Sequence, residues 1–222
     1  MDLQGFDAYL KAKADTHVGY PYNLRYDYSE LAPFFRYSIN NLGDPYVESN
    51  YLLHSRAYEK DTVAFFAELY GAGDYWGYVT TSGTEGNLYG VLLGREQYPE
   101  GVLYSSSDTH YSIAKAAHFF KIPHVVVDSL PHGEIDYKDL RRKLDPSRPA
   151  IVTVNLGTTL RGAMDDLDRV INVLDRAGVR DHFIHCDGAL GGMLVPYLSS
   201  TSALFRSPII QKSLENPANS TF

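Results

Sequence analysis

Apolar runs and helical patterns alternate along most of this chain, and this alternation constrains the fold more than any other feature. Short apolar runs typical of buried strands occupy residues 75–80, 101–106, 124–129, 150–156 and 182–188. Apolar residues at helical spacing occupy residues 61–70, 84–98, 111–121, 136–144 and 166–178. Strands that alternate with helices build βαβ units, so the sequence predicts an α/β fold with a mainly parallel sheet.

Composition excludes several other classes of protein. The 222 residues are 44% hydrophobic, which is enough to bury a sizeable core. The net charge of -7 and the lack of a basic run argue against binding to nucleic acid. No apolar run approaches membrane-spanning length, and residues 1–15 lack the hydrophobic stretch of a signal peptide. With Cys186 as the only cysteine, we expect a cytoplasmic protein without disulfides, nucleic acid or membrane.

Four distinctive turns fall where predicted strands end. They are SGTEGN (82–87), SDTHYS (107–112), LGTT (156–159) and CDGALGG (186–192). The carboxyl ends of parallel strands meet at one edge of a sheet, where a crevice forms between strands and helices. The sequence therefore predicts that these turns converge on a functional site.

The first of these turns has the features of an anion-binding helix N-terminus. Ser82 and Gly83 permit a tight turn. Thr84 is predicted to cap a helix that begins at Glu85. Free backbone N–H groups and the helix dipole at such a point can hold a phosphate, although an ordinary helix start explains the same residues. The turn matches neither the GxxxxGK[ST] nor the GxGxxG nucleotide pattern, so both interpretations stay open.

Two titratable residues in the later turns each have a structural and a functional interpretation. His110 either fills a structural position or lies against an aromatic ligand ring at the sheet edge. Asp187 follows an apolar run and precedes Gly188, where a carboxylate needs a partner. It either caps the following turn or makes a charge-assisted bond to a protonated ring nitrogen of a ligand.

Two rival sites receive less support from the residue pattern. His182, His185 and Cys186 lie near Asp187, but neighbouring strand residues point to opposite faces. His185 and Asp187 can share a face, and two ligands make a poor metal site, so no metal is predicted. A Ser–His–Asp hydrolase would carry a GxSxG elbow, which TSGTEG is not.

The motifs resemble those of one enzyme family, in the correct order. Residues 75–121 are similar to the group II pyridoxal-phosphate decarboxylases, specifically bacterial histidine decarboxylases and plant relatives that act on histidine or serine. The match continues in YSINNLGDP, GEIDYKDL, VNLGTTLRGAMDDLD and HCDGALGGMLVPY, and it covers residues 17–198. The resemblance implies the fold-type I, aminotransferase-like fold and a homodimer with active sites at the subunit boundary.

The resemblance also implies a role for each residue that matches a family motif. The cofactor would be pyridoxal 5′-phosphate, with no metal. His110 would stack on the pyridine ring and approach the substrate, and Asp187 would keep the ring nitrogen protonated. The other implied cofactor-binding residues are Ser82, Gly83 and Thr84 at the phosphate, Thr158 near the polar edge of the ring, and Ala189 against its second face.

The reaction implied is decarboxylation of an amino acid to its amine. Histidine is the predicted substrate, serine the alternative, and an aromatic amino acid the third candidate. The segment YSINNLGDPYVESNYLLHS is closer to the bacterial histidine enzymes than to the serine-specific plant forms.

The sequence departs from the family pattern near its end. Relatives carry a Ser-x-Ser-Gly-His-Lys stretch whose lysine holds the cofactor, and only Lys212 follows Lys143 here. We therefore expect an N-terminal segment at 1–58, an incomplete cofactor-binding domain at 59–198 and a divergent tail at 199–222, with the small C-terminal domain missing. An inactive remnant that binds cofactor, or pairs with an intact subunit, is the alternative to a decarboxylase.

Overall fold

The structure is a computed structural model that describes residues 2–19, 23 and 25–198. The tail that the sequence predicts to diverge, with Lys212, lies outside these residues. The described chain forms two compact units, and the second begins at Ala57.

The first unit contains an α-helix, α1 (Leu3–Ala14), and a 3-10 helix (Ser29–Arg36). Asp2 caps α1, because its carboxylate accepts a hydrogen bond of 2.7 Å from the Gly5 N–H. None of the described leucine, isoleucine, valine, phenylalanine or tyrosine side chains in this unit is buried.

The second unit alternates helices with parallel strands. Its elements in chain order are α2 (Arg56–Tyr70, from one residue before the boundary), α3 (Gly83–Gln97), β1 (Val102–Ser106), α4 (Ser112–Phe120), β2 (His124–Val127), α5 (Tyr137–Lys143), β3 (Ala150–Asn155), α6 (Leu167–Ala177), β4 (His182–Asp187) and a 3-10 turn (Val195–Tyr197). The four strands lie in the order β2-β1-β3-β4, and every pair is parallel. The predicted α/β fold with a parallel sheet is confirmed.

The sheet buries both of its faces under helices, as parallel sheets do. On one face, Val152 and Val154 of β3 pack in a cluster with Leu140 of α5 and Leu174 of α6. On the other face, residues of α3 and α4 pack on the strands through Val91, Leu103, Ile113 and Ile151. The result is three layers, with β3 central and fully buried along its length.

The strand predicted at 75–80 is not a strand in the structure. A strand needs a neighbouring chain to receive its backbone hydrogen bonds, and in this segment a side chain takes that place. The Val79 N–H donates to the Glu59 carboxylate at 3.0 Å, and Thr81, just after the segment, donates to Glu85 at 2.8 Å. The apolar run at 75–80 therefore predicted the wrong secondary structure.

Within the described ranges, none of the helices combines the length and apolar character that crossing a membrane requires.

Candidate active site

The N-terminus of α3 forms one wall of the site. Ser82 is the capping residue, since its hydroxyl accepts from the Glu85 N–H at 3.4 Å and its backbone is extended. The prediction that Thr84 caps a helix beginning at Glu85 was wrong, because the helix starts at Gly83. Glu85 stabilises the turn from inside the helix, and its carboxylate accepts from both the N–H and the hydroxyl of Thr81.

Gly83 allows this helix start to approach the turn that follows β4. A Cβ placed on Gly83 would lie 2.9 Å from the Ala189 methyl group, closer than real side chains come. The amides of Gly83 and Thr84 donate no hydrogen bond to any other described residue, and the end of the helix is at least partly exposed. A helix N-terminus with free amides favours an anion.

Asp187 is the last residue of β4, beside the N-terminus of α3, and it is only 9% exposed. The Ala189 N–H donates to one carboxylate oxygen at 3.1 Å, and the Asn87 side-chain amide donates to the other at 2.8 Å. No lysine, arginine or histidine of the described residues forms an ion pair with Asp187. A buried carboxylate held only by neutral donors is costly, and a cationic ligand would stabilise it.

Asn87 connects Asp187 to the neighbouring polar residues. Its amide nitrogen also donates to the Ser112 hydroxyl at 2.9 Å, and its amide oxygen lies 2.7 Å from Nε2 of His185. Burial lowers the pKa of His185, and the charge of Asp187 opposes that effect only in part. His185 is therefore neutral, and its Nε2–H donates to Asn87.

His110 joins the same network through Ser112. Nδ1 of His110 lies 2.8 Å from the Ser112 hydroxyl and accepts from the Ser112 backbone N–H at 3.3 Å. Because Nδ1 accepts, the ring hydrogen is assigned to Nε2. The ring is half-buried, and its centroid lies 4.2 Å from that of the Tyr111 ring. His110 is thus oriented by the start of α4 and keeps one ring N–H for a ligand.

Thr158 sits in a separate tight turn after β3. Its hydroxyl accepts from the Ala163 N–H at 3.1 Å, and its own N–H donates to the Ala163 carbonyl at 2.9 Å. The residue is 2% exposed. In the structure, Ala189 contacts both Asp187 and the start of α3, and His110 is connected to Asp187 through Ser112 and Asn87. The contacts of Thr158 lie within its own turn.

The match to a known family agrees with this geometry. Residues 77–214 match the family model described as the pyridoxal-dependent decarboxylase conserved domain. The chain belongs to the pyridoxal-dependent decarboxylases. The resemblance seen in the sequence motifs is confirmed, and the matched range extends into the tail for which divergence is predicted.

Relatives in this decarboxylase family act on different amino acids. Serine decarboxylase 1 of Oryza sativa subsp. japonica is 50% identical over 206 residues, which cover 90% of this chain and 43% of that protein. Histidine decarboxylase of Pseudomonas fluorescens is 46% identical over 205 residues, covering 88% of this chain and 50% of that protein. This chain therefore spans about half the length of the curated relatives it matches.

Solved structures of other proteins share the fold. The Q64A mutant of L-methionine decarboxylase from Streptomyces sp. 590 superposes with a TM-score of 0.79 at 25% identity, over 95% of this chain and 57% of that one. Mouse CSAD superposes with a TM-score of 0.58 at 27% identity, over 67% of this chain.

The residues present fit pyridoxal phosphate, the cofactor of this decarboxylase family. The buried Asp187 carboxylate has neutral donors and lacks a cationic partner among the described residues, which suits a protonated pyridine nitrogen. The free amides at the start of α3 suit a phosphate group. The close approach of Gly83 to Ala189 brings these two features into one wall.

Three residues of this network were not predicted from the sequence to have a functional role: Asn87, Ser112 and His185. Asn87 is 3% exposed on the buried side of α3, one turn before Val91. The available signal was a polar residue in phase with the buried positions of a helix, and Asn87 is the last residue of the turn SGTEGN.

Two further findings concern metal-ligating side chains and the cysteine beside Asp187. No group of three or more metal-ligating side chains was found among the described residues. Burial, with the charges of Asp165 and Asp187, raises the pKa of the Cys186 thiol to about 12. Cys186 is thus a protonated core residue and a poor nucleophile.

Proposed function

We propose that this protein decarboxylates an amino acid with pyridoxal phosphate bound at the carboxyl edge of its parallel sheet. The family and the relatives support the reaction class. The observation that carries the proposal is the Asp187 carboxylate, which is buried, held by neutral N–H donors and without a cation among the described residues. A protonated ring nitrogen is the partner that this carboxylate fits.

Ser82, Gly83 and Thr84 would hold the cofactor phosphate. The free amides of the first helical turn point along the α3 axis, and the helix dipole adds to their attraction for an anion. The Ser82 hydroxyl already caps the helix, so the turn is formed before a ligand arrives. Preformed donors bind a phosphate without the entropic cost of ordering a loop.

Asp187 and His110 would divide the chemistry between them. When bound, the cofactor ring withdraws electrons from the bond to the departing carboxylate. Asp187 holds a proton at the ring nitrogen, because a charged pair is more stable than a lone buried carboxylate. His110, oriented by Ser112, would stack on the ring and use its Nε2–H to orient the substrate.

Ala189 and Thr158 would complete the cofactor site. Ala189 holds Asp187 through its N–H, and its methyl group would pack on the face of the ring away from His110. The Thr158 hydroxyl accepts one hydrogen bond and donates none to another described residue, so its hydrogen would serve the polar edge of the ring.

Histidine is the proposed substrate, and serine is the alternative. Relatives named for both reactions match this chain, so the comparisons support the pair. The motif YSINNLGDPYVESNYLLHS, which is similar to the bacterial histidine enzymes, is the reason for placing histidine first.

A homodimer is the proposed assembly. In the first unit, apolar side chains point into solvent although they would gain stability by burial. The most exposed of them are Val18 at 95%, Leu3 at 87%, Phe35 at 82% and Leu52 at 82%. A second copy of the chain would cover such a surface.

A non-catalytic role as a cofactor-binding remnant is the second candidate. It is favoured by one observation: no described lysine forms a hydrogen bond or an ion pair with Ser82, His110, Thr158 or Asp187. Reduction with borohydride in the presence of pyridoxal phosphate, followed by peptide mass spectrometry, separates the two. A single adduct at Lys212 would support the enzyme, and scattered labelling would support the remnant.

The first test is release of labelled carbon dioxide from carboxyl-labelled histidine and serine in the presence of pyridoxal phosphate. We expect release from one of them, and Asp187→Ala should lower it by about 10²-fold or more, because the ring nitrogen loses its charged partner. Asp175→Ala, an exposed aspartate of α6, is the matched control and should keep wild-type release. An active Asp187→Ala variant would contradict the proposed role of this residue.

A further inference from the structure

Asn87 is the point at which α3, α4 and β4 meet through hydrogen bonds. Its side chain is 3% exposed. The amide nitrogen donates to Ser112 of α4 at 2.9 Å and to Asp187 of β4 at 2.8 Å. The amide oxygen accepts from His185, also of β4, at 2.7 Å. Every polar atom of this side chain therefore has a partner, as a buried amide requires.

The chemistry of the partners fixes the orientation of the amide. An ionised carboxylate only accepts hydrogen bonds, so the nitrogen of Asn87 must face Asp187. The oxygen then faces His185, which must carry a hydrogen on Nε2 and does so as a neutral ring in this buried place. With the amide reversed, its oxygen would face the Asp187 carboxylate oxygen, and two acceptors cannot form a hydrogen bond.

We propose that Asn87 is a positioning residue that keeps the Asp187 carboxylate turned toward the cofactor and ties it to His110 through Ser112. This inference rests on the proposed function. Asn87 supplies one of the two N–H donors recorded for Asp187 among the described residues, and the other comes from the Ala189 backbone. Removal of Asn87 leaves one buried carboxylate oxygen without a donor among the described residues, and an unpaired buried polar group is costly.

The same amide couples the two residues proposed to touch the cofactor. The Ser112 hydroxyl accepts from Asn87 and lies 2.8 Å from the accepting Nδ1 of His110. With its oxygen facing Asn87, Ser112 turns its hydroxyl hydrogen toward His110. Asp187 and His110 are therefore connected through two side chains. Asn87 donates to both Asp187 and Ser112, and Ser112 donates to His110.

The experiment measures binding of pyridoxamine 5′-phosphate, labelled with ¹⁵N in the ring, because this compound needs no lysine to bind. Equilibrium dialysis gives the dissociation constant, and the ¹⁵N chemical shift reports whether the ring nitrogen is protonated. Asn87→Leu keeps the size of the side chain and removes its donors. We expect about 10- to 100-fold weaker binding and loss of the protonated-ring signal at neutral pH.

Asn87→Asp provides a readout that a merely structural role would not move. Two carboxyl groups this close share a proton, and only the protonated form of the new side chain can donate to Asp187. Affinity of Asn87→Asp should therefore recover toward the wild-type value as the pH falls, whereas Asn87→Leu should not recover. Asn172→Asp, an exposed helical asparagine of α6 on the opposite face of the sheet, should bind like the wild type at every pH.

The outcomes separate this inference from the proposed function. Wild-type protein that fails to bind pyridoxamine phosphate overturns both. Wild-type binding that Asp187→Ala abolishes and Asn87→Leu leaves unchanged, with the ring still protonated, overturns only the role of Asn87. If Asn87→Leu does not fold, as thermal unfolding would show, the pH dependence of Asn87→Asp decides: recovery at low pH supports positioning, and a flat profile overturns it.

Discussion

Individual polar residues in the interior determine much of the chemistry of this protein. His185 lies in mid-strand, between an apolar layer at Phe183 and the carboxylate of Asp187. It remains stable there because it is neutral and because Asn87 accepts its Nε2–H. Thr153, the β3 residue in register with His185, carries a buried hydroxyl for which the described residues provide no partner. Neighbouring polar residues of the sheet therefore differ in whether their side chains have a hydrogen-bond partner.

The partly buried His185 predicts a pH-dependent stability. Burial lowers the pKa of His185 below the ordinary value of 6.5, so the unfolded chain binds a proton more readily than the folded one. The free energy of unfolding should therefore fall as the pH drops through 6.5 and below, and burial of His124 adds an effect of the same sign. Urea titrations on both sides of this pH measure the slope.

The contribution of His185 can be isolated by substitution. His185→Gln keeps an N–H donor for Asn87 but does not titrate, so it should reduce the slope, with the His124 contribution remaining. His118→Gln, at an exposed position of α4, should leave the slope unchanged. A His185→Gln slope equal to that of the wild type would show that the proton uptake occurs elsewhere.

At the scale of elements, α3 comes close to β4 because glycines form its contact face. A Cβ at Gly94 would lie 2.8 Å from the Phe183 ring, and one at Gly90 would lie 2.2 Å from Nδ1 of His185. Neither distance is possible for a real side chain unless the facing ring, the helix or the strand moves. This close approach is what places Asn87, on the same helix, within hydrogen-bonding distance of β4.

Alanine at Gly90 should therefore separate α3 from the sheet. We expect Gly90→Ala to lower the free energy of unfolding by about 1–3 kcal/mol and to weaken cofactor binding through the displaced His185. Gly86→Ala is the matched control in the same helix, since its Cβ would meet only Thr80 at 3.9 Å. That variant should gain about 0.4–1 kcal/mol from lower entropy of the unfolded chain. A stable Gly90→Ala protein with wild-type affinity would contradict the packing argument.

At the scale of the whole molecule, the two units differ in how much they bury. The second unit has a core on both faces of its sheet, whereas the large apolar side chains described in the first unit remain at least partly exposed. A small unit without a core depends on other surfaces for its stability. This contrast is the physical basis for the proposed homodimer.

The oligomeric state tests that proposal directly. We expect sedimentation equilibrium to give about twice the chain mass of 24.9 kDa. Phe35→Ser and Leu52→Ser, at two of the most exposed apolar positions of the first unit, should shift the protein toward the monomer because they reduce the apolar area available for burial. A wild-type protein that is monomeric at every concentration would contradict the proposal.

The sequence by itself determined the order of most helices and strands and the edge of the sheet at which the candidate site lies. The strands at 102–106, 124–127, 150–155 and 182–187 were predicted to within about two residues, because hydrophobic period and turn residues are local properties. Local properties were misleading at 75–80, because a strand there would have needed a neighbouring strand to pair with. They were also misleading at Thr84, because Ser82, two residues earlier, is the capping residue.

Only the tertiary structure decided which polar residues act together. Asn87 bonds to Ser112 across 25 positions of sequence and to Asp187 across 100, and no periodicity connects such distant residues. Their contact depends on how closely α3 packs on β4, which the glycines of its inner face allow. The motif residues proposed to hold the cofactor could be recognised in the sequence. Asn87, the residue proposed to position them, could be identified only from the packing of α3 on β4.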